Sequence, residues 1–140
     1  MLILDTNHVT ALGYPSAPAR QLEERIAASG QETGTTIVTV EEQVRGWLAR
    51  IHRANTDPRG LIFPYGRFWE RIEFFASWLV LPWDEEAADR FAALRLQRIR
   101  IGTMDLKIAS IVLAHDATLL TRNTADFAQV PGLKFENWLD

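Results

Sequence analysis

Acidic side chains follow several apolar stretches of the chain, at the points where a parallel sheet would present the ends of its strands. They are accompanied by one asparagine, and the set is Asp5, Glu42, Asp105, Asn123 and Asp126. Ligands of open α/β sheets bind at the carboxyl ends of the strands, so we expect these groups at one edge. Carboxylates gathered there repel one another, and a divalent cation would remove that repulsion. Oxygen ligands favour Mg²⁺ or Mn²⁺, ions that activate water and stabilise charge on a phosphodiester.

Alternating strands and helices must position these groups. Short apolar runs predict strands at residues 2–5, 36–39, 79–81, 117–121 and 133–136. Helical patterns cover residues 17–29, 40–53, 64–78, 84–98 and 104–115, and 124–127 forms at most one helical turn. Asp5 then ends the first strand, Glu42 lies in the first turn of the helix after the second strand, and Asp105 begins a buried helix. This order predicts a three-layer α/β/α sandwich with a parallel sheet of four or five strands.

Composition restricts the class of protein. The 140 residues suit one domain over 1–140, and 47% hydrophobic with 24% charged residues is ordinary for a globular protein. Without cysteine, disulfides, thiolate metal sites and cysteine nucleophiles are excluded. The first residues lack the basic region of a signal peptide, and no apolar run could span a membrane, so we expect a cytoplasmic protein.

Charge gives a mixed indication about nucleic acid. A net charge of −3 argues mildly against a dedicated nucleic-acid binder. The basic residues are nevertheless arginine apart from Lys107 and Lys134, and the guanidinium fork suits phosphate oxygens. Arg45, Arg50 and Arg53 lie on the polar side of the helix that carries Glu42. They are candidates for an RNA path, although a solvated helix face explains them equally well.

Each acidic residue also has an ordinary structural explanation. An aspartate at the end of a first strand is common in parallel α/β folds. An acid in the first turn of a helix, as expected for Glu42 and Asp105, usually stabilises the helix dipole. Asp126 could cap a turn. The joint placement of these residues is what favours a metal site.

Four segments resemble the PIN domain, and in particular the VapC toxins of bacterial toxin–antitoxin pairs. The motifs occur in the family's order and spacing over nearly the whole chain, and the likeness is weakest between residues 54 and 100. The segments are Leu4-Asp5-Thr6-Asn7; Thr39-Val40-Glu41-Glu42 followed by Gly46; Ile101-Gly102-Thr103-Met104-Asp105-Leu106-Lys107-Ile108-Ala109; and Leu120-Thr121-Arg122-Asn123-Thr124-Ala125-Asp126-Phe127 followed by Val130-Pro131-Gly132-Leu133.

The resemblance implies a role for each of these positions. Asp5, Glu42 and Asp105 would be the core metal ligands, and Asn123 and Asp126 occupy the positions of a fourth polar or acidic group. The same pocket would be lined by Thr6, Asn7 and Thr121. Asn123 is neutral where many members have aspartate, and Gln43 replaces a commonly apolar residue.

The implied activity is that of an endoribonuclease toxin. A metal-activated water would hydrolyse an RNA phosphodiester, leaving a 5′-phosphate and a 3′-hydroxyl. The implied partners are a cognate antitoxin and a second copy of the chain in a homodimer. Phe74 and Trp78 fall off the predicted core stripe of their helix (Phe68, Trp69, Ile72, Phe75, Ala76 and Leu79), which makes them candidates for a dimer or antitoxin surface.

Two other functions compete with this interpretation. A phosphatase of the haloacid dehalogenase type would use Asp5 as a nucleophile, but that family has a second aspartate two residues later, where this chain has Asn7. A PIN-like or flavodoxin-like module could also bind a partner without catalysis. Thermal stabilisation by Mn²⁺ or Mg²⁺ would distinguish a metal site from such a module.

Overall fold

A computed structural model describes residues 1–54 and 57–140. The strands are β1 Leu2–Leu4, β2 Thr33–Thr36, β3 Leu79–Leu81, β4 Thr118–Leu120 and β5 Lys134–Glu136. The helices of the described ranges are α1 Thr6–Leu12, α2 Ala17–Ser29, α3 Ile37–Arg53, α4 Ile62–Ala76, α5 Glu85–Leu96, α6 Thr103–Ala114 and α7 Thr124–Phe127. A 3₁₀ turn at Arg59–Leu61 leads into α4.

The five strands form one parallel sheet in the order β3-β2-β1-β4-β5. The chain builds the sheet outward from β1 to β3, then returns to place β4 on the other side of β1. Connections therefore leave β1 and β4 in opposite directions, which opens a crevice at their carboxyl ends. The predicted parallel sheet is confirmed, and the crevice lies directly after Leu4 and Leu120.

Alternate residues of the central strands supply two separate cores. Ile3 packs with residues of α5 and α6 on one face of the sheet. Leu2 and Leu4 point to the other face, where they pack with Val9 of α1 and Phe75 of α4. Helices thus cover both faces of the sheet, and the predicted three-layer sandwich is confirmed. The predicted deep burial of α6 is also confirmed, since Ile108 is fully buried.

The second strand lies earlier than predicted. We predicted a strand at residues 36–39, but β2 spans Thr33–Thr36 and α3 begins at Ile37. Thr36 causes the change, because its hydroxyl accepts a hydrogen bond from the Thr39 N–H at 3.1 Å and caps the helix. Gly34 fits the strand because a Cβ there would lie 2.5 Å from the Leu79 carbonyl oxygen. Close approach of β2 and β3 therefore requires glycine.

Two features of the helices were also mispredicted. Helix α1 was not foreseen; it begins directly after Asp5, whose carboxylate accepts a hydrogen bond from the Thr6 N–H. The core stripe of α4 was predicted correctly only in part, since Phe75 is buried as expected but other residues of the stripe are exposed. Trp69 and Ile72 are 68% and 48% exposed, whereas Phe74 and Trp78 pack against the core beneath the sheet. Neither of the latter two side chains is available as the free surface that we expected.

Helix ends with clear capping residues were predicted well. Helix α2 covers the predicted residues 17–29; Ser16 caps its start, and Gly30 ends it at a φ of 64°. Asp84 caps α5 by accepting a hydrogen bond from the Ala87 N–H. Within residues 1–54 and 57–140, no helix has both the length and the apolarity needed to cross a membrane.

Candidate metal centre and adjoining cavity

Asp5 lies at the centre of the candidate site. It directly follows β1, and its side chain is buried at 4% exposure. One carboxylate oxygen, Oδ1, accepts from the Thr6 N–H at 2.7 Å, and Oδ2 accepts from the Thr121 hydroxyl at 2.7 Å. Burial raises the pKa of Asp5 above its usual range, although both hydrogen bonds act in the opposite direction. The residue is thus rigidly oriented in a position where its negative charge is disfavoured.

Glu42 approaches Asp5 from α3. We predicted Glu42 in the first turn of its helix. Because α3 starts earlier, at Ile37, Glu42 lies in the second turn instead. The Thr6 hydroxyl donates to Glu42 Oε2 at 3.0 Å, so one threonine contacts both acids. Burial raises the pKa of Glu42; the Thr6 hydrogen bond opposes this, and the charges of Asp5 and Asp105 add to it. The neighbouring Glu41 instead forms an ion pair with Arg45 at 2.6 Å.

The remaining acids are joined by Asn123. Asp105 stands in the first turn of α6, and Asp126 lies in α7. The Asn123 side-chain amide donates from Nδ2 to Asp105 Oδ2 at 2.9 Å and to Asp126 Oδ2 at 3.0 Å. Its backbone N–H also donates to the Thr121 hydroxyl at 3.0 Å. Burial raises the pKa of Asp105, and the nearby charge of Asp5 adds to this effect.

These contacts bring the five predicted ligand residues to the same edge of the sheet. In the described ranges, none of their carboxylates forms an ion pair with a basic side chain. The donor set is entirely oxygen apart from the Asn123 amide nitrogen, and it suits a hard divalent cation. No three acidic or histidine side chains of residues 1–54 and 57–140 already converge as a metal cage. An ion would therefore have to draw the carboxylates closer together.

Asn7 and His8 face the C-terminal segment. Asn7 Oδ1 accepts from the Arg122 N–H at 3.2 Å and contacts His8 Nδ1 at 2.7 Å. His8 is fully buried, and its Nε2 accepts from the Trp138 N–H at 3.2 Å. Burial, aided by the charge of Arg122, lowers the pKa of His8 to about 4. His8 is therefore neutral near pH 7 and connects α1 to the end of the chain, a role that the sequence analysis did not identify.

The three arginines proposed for an RNA path have different surroundings. Arg45 borders a groove that it shares with Glu42 and Asp105. Arg50 lines a separate cavity on another side of Glu42. Arg53 is exposed in the last turn of α3 and lines neither of these two depressions. The acids are thus flanked by Arg45 and Arg50 in two directions.

Two arginines that were not predicted from the sequence also line the Arg50 cavity. Arg67 and Arg71 reach it from α4, and the cavity measures about 190 Å³. Their spacing of four residues in a helix rich in aromatic residues was a usable signal, because such residues share one face. It was overlooked because part of the core stripe of α4 was assigned to a different face.

Comparison with known proteins identifies the family. Residues 2–133 match the model of the PIN domain. The chain is 30% identical over 138 residues to Ribonuclease VapC1 of Rickettsia felis, covering 95% of this chain and 92% of that protein. VapBC-1 from nontypeable Haemophilus influenzae has a similar structure, with a TM-score of 0.76 and 20% identity over 99% of this chain and 98% of that one. A toxin-antitoxin complex from Klebsiella pneumoniae gives a TM-score of 0.67 and 22% identity, with 95% of each chain covered. The chain therefore belongs to the PIN-domain family, within its VapC group.

Proposed function

We propose that this protein is a Mg²⁺- or Mn²⁺-dependent endoribonuclease and the toxin of a toxin–antitoxin pair. The observation that carries the proposal is the group of four carboxylates at the β1–β4 crevice, which form no ion pair within residues 1–54 and 57–140. Burial disfavours the charge on Asp5, Glu42 and Asp105, and a divalent cation would reverse that cost. The relationship to a ribonuclease of the VapC group supports the same chemistry.

Asp5, Glu42, Asp105 and Asp126 would hold the cation. A carboxylate oxygen that accepts one hydrogen bond retains a lone pair, so Asp5 can bind a metal while Thr6 and Thr121 orient it. When bound, Mg²⁺ or Mn²⁺ supplies a water of lowered pKa and stabilises negative charge on the phosphodiester.

Asn123 differs from the four acids. Its amide nitrogen faces Asp105 and Asp126, and a nitrogen that donates hydrogen bonds is not a metal ligand. We infer that Asn123 positions these two carboxylates in the metal-free protein. A rotation of its amide group would present the oxygen instead and make it a ligand, as the family resemblance implies.

An antitoxin and a second copy of the chain are the proposed protein partners. Support comes from the outer face of α4, which exposes Ile62, Tyr65, Trp69 and Ile72. An apolar surface of this kind usually contacts another protein. The complex from K. pneumoniae supports an antitoxin as one occupant. We place the activity in the cytoplasm, where RNA and a reducing environment suit a chain without cysteine.

The test is cleavage of a cellular RNA pool by wild-type protein and by Glu42→Gln and Asp105→Asn variants, with Mg²⁺, Mn²⁺ or EDTA. We expect discrete fragments that carry 5′-phosphates, and loss of at least about 100-fold in rate for either variant, since even groups that only orient metal ligands often contribute 10–100-fold. Glu41→Gln is the matched control, because Glu41 pairs with Arg45 outside the carboxylate group. It should retain wild-type cleavage.

Two results would count against the proposal. Fragments that persist in EDTA would show that the carboxylates do not act through a metal. Absence of both cleavage and metal binding would favour a binding module without catalysis.

A further inference from the structure

A cavity lined in part by arginine adjoins the carboxylates. The cavity of about 190 Å³ lies between α1, α3 and α4, and Glu42 forms part of its wall. Its volume equals about six water molecules, enough for a phosphate group. The lining residues include Glu42, Gly46, Trp47, Arg50, Arg67 and Arg71. A ligand in this cavity would therefore lie beside the proposed metal centre.

The cavity has an excess of positive charge. Arg50, Arg67 and Arg71 face a single lining carboxylate, Glu42, which is committed to the Thr6 hydroxyl. Arg71 has neither an ion pair nor a hydrogen bond within residues 1–54 and 57–140. Arg67 lies close enough to lower the pKa of Arg71, after the larger effect of burial. Two guanidinium groups held together in this way leave a site for an anion.

Each of the three arginines is oriented by an aromatic ring. The guanidinium carbon of Arg50 lies 4.6 Å from the centre of the Trp47 ring, that of Arg67 lies 4.4 Å from Tyr14, and that of Arg71 lies 4.5 Å from Phe74. Stacking restricts the rotation of a guanidinium plane while leaving its N–H edges free to donate.

The guanidinium group of Arg67 does not use all of its hydrogen-bond donors within the described residues. Arg67 donates to the Gly13 carbonyl oxygen at 3.3 Å and to Glu70 at 2.9 Å. Its Nε is buried and has no hydrogen-bond partner in the described part of the chain. A buried donor without a partner is costly, and such groups often mark a place that a ligand satisfies.

We propose that this cavity binds a backbone phosphate of the RNA, one that flanks the scissile bond, through Arg67 and Arg71. The assignment rests on the proposed function for the identity of the nucleic acid. RNA is favoured over an acidic protein segment because the cavity shares Glu42 with the carboxylate group, so a chain running through the crevice passes both. Such contacts hold the strand in register without reading its bases.

Binding can be measured independently of cleavage. Fluorescence anisotropy would follow a labelled single-stranded RNA oligonucleotide on proteins that all carry Asp105→Asn, with Mg²⁺ present. Adding Arg71→Gln should weaken binding on the order of tenfold. Loss of one phosphate contact should also make the slope of log K against log salt shallower by about 0.7. Arg90→Gln is the control of equal charge, because Arg90 lies on α5 and does not line the cavity.

A steric variant tests the same cavity without removing an arginine. Gly46 lines the cavity, and a Cβ there would meet no atom within 4 Å. Gly46→Leu should therefore fold normally, project into the cavity and weaken RNA binding, while Gly46→Ala should leave it largely unchanged. If Arg71→Gln destabilises the protein, the comparison of the two Gly46 variants still decides the question.

The outcomes separate this proposal from the nuclease assignment. Weaker RNA binding by Arg71→Gln and Gly46→Leu supports the phosphate site even if the wild-type protein cuts no RNA. If wild-type protein cleaves RNA but both variants bind as the Arg90→Gln control does, the phosphate site is refuted and the nuclease stands. Loss of a partner protein's binding with unchanged RNA affinity would also refute it, in favour of an acidic protein ligand.

Discussion

Lowering the pH from 7 to 5 should destabilise the protein through His8. The imidazole is fully buried, and its Nε2 already accepts a hydrogen bond from the Trp138 N–H. Protonation would place two donors against each other at that contact and leave a charge without hydration. Burial and the charge of Arg122 lower the pKa of His8 to about 4, with a smaller opposing effect from Asp140.

The direction and the size of the effect follow from proton binding. In the unfolded chain His8 takes up a proton as the pH falls below about 6.5, whereas in the folded protein it does so only near 4. The unfolded state therefore binds more protons between these values, and stability falls as the pH falls through this window. Between pH 7 and pH 5 the loss is about 2 kcal/mol, and it is complete only below about pH 4.

Carboxyl groups with raised pKa values stabilise the folded protein as the pH falls through part of this window. The contribution of His8 must therefore be measured as a difference between two proteins. Guanidinium unfolding of wild-type and His8→Gln proteins, followed by tryptophan fluorescence at pH 5, 6 and 7, isolates the histidine. The glutamine oxygen can still accept from the Trp138 N–H, but the residue does not titrate. His52→Gln removes an exposed histidine and serves as control. If wild-type and His8→Gln proteins lost equal stability between pH 7 and pH 5, the argument from burial would be refuted.

Four further predictions concern the metal, the acids and the packing. Mn²⁺ or Mg²⁺ at 100 times its dissociation constant should raise the free energy of unfolding by about 2.7 kcal/mol, seen as a rise in Tm that EDTA abolishes; an unchanged Tm would contradict the site. Glu42→Gln should stabilise the metal-free protein, most strongly at high pH, because a carboxyl of raised pKa costs stability as the pH rises through that pKa; chemical unfolding at pH 5 and pH 8 checks the sign. Gly34→Ala should cost at least about 1–3 kcal/mol, measured by the same method, since its Cβ would lie 2.5 Å from the Leu79 carbonyl oxygen. Phe75→Ala should cost about 3–5 kcal/mol and Trp69→Ala less than about 1 kcal/mol, because the two side chains are 7% and 68% exposed; equal losses would refute the observed face of α4.

The position of the carboxylate group could be predicted because it depends mainly on which segments are buried parallel strands. Once β1 and β4 are recognised as buried parallel strands, Asp5 and Asp126 must lie near the same edge of the sheet, whatever the details of the helices. Asp105 adds a third acid because α6 is apolar on nearly all sides and must lie against the sheet. None of these placements required an accurate element boundary.

Boundaries failed where two local preferences competed. The run from Thr36 to Thr39 is β-branched and favours a strand, yet Thr36 is also a good helix cap. The hydrogen bond from the Thr39 N–H to the Thr36 hydroxyl settles the competition in favour of the helix. Helix α1 was missed for a related reason, since Asp5 is read equally well as a strand end or as a cap. Sequence preferences alone do not rank such alternatives.

Part of the buried face of α4 was mispredicted because apolar residues surround most of that helix. Periodicity identifies a buried face only when the opposite face is polar, and here Trp69 and Ile72 on the outside are as apolar as Phe75 on the inside. Arginine is also treated as an outward residue, although its stem packs well against apolar surface and its guanidinium can stack on a ring. Arg67 and Arg71 use both properties to lie inward. Helix α4 thus directs arginine toward a cavity and exposes tryptophan to solvent, which is the opposite of the usual distribution. Each of these two features suits a different binding partner. On the proposed assignments, the inner face of α4 holds RNA phosphate and its outer face contacts protein, so RNA and a protein partner can occupy the same helix from opposite sides.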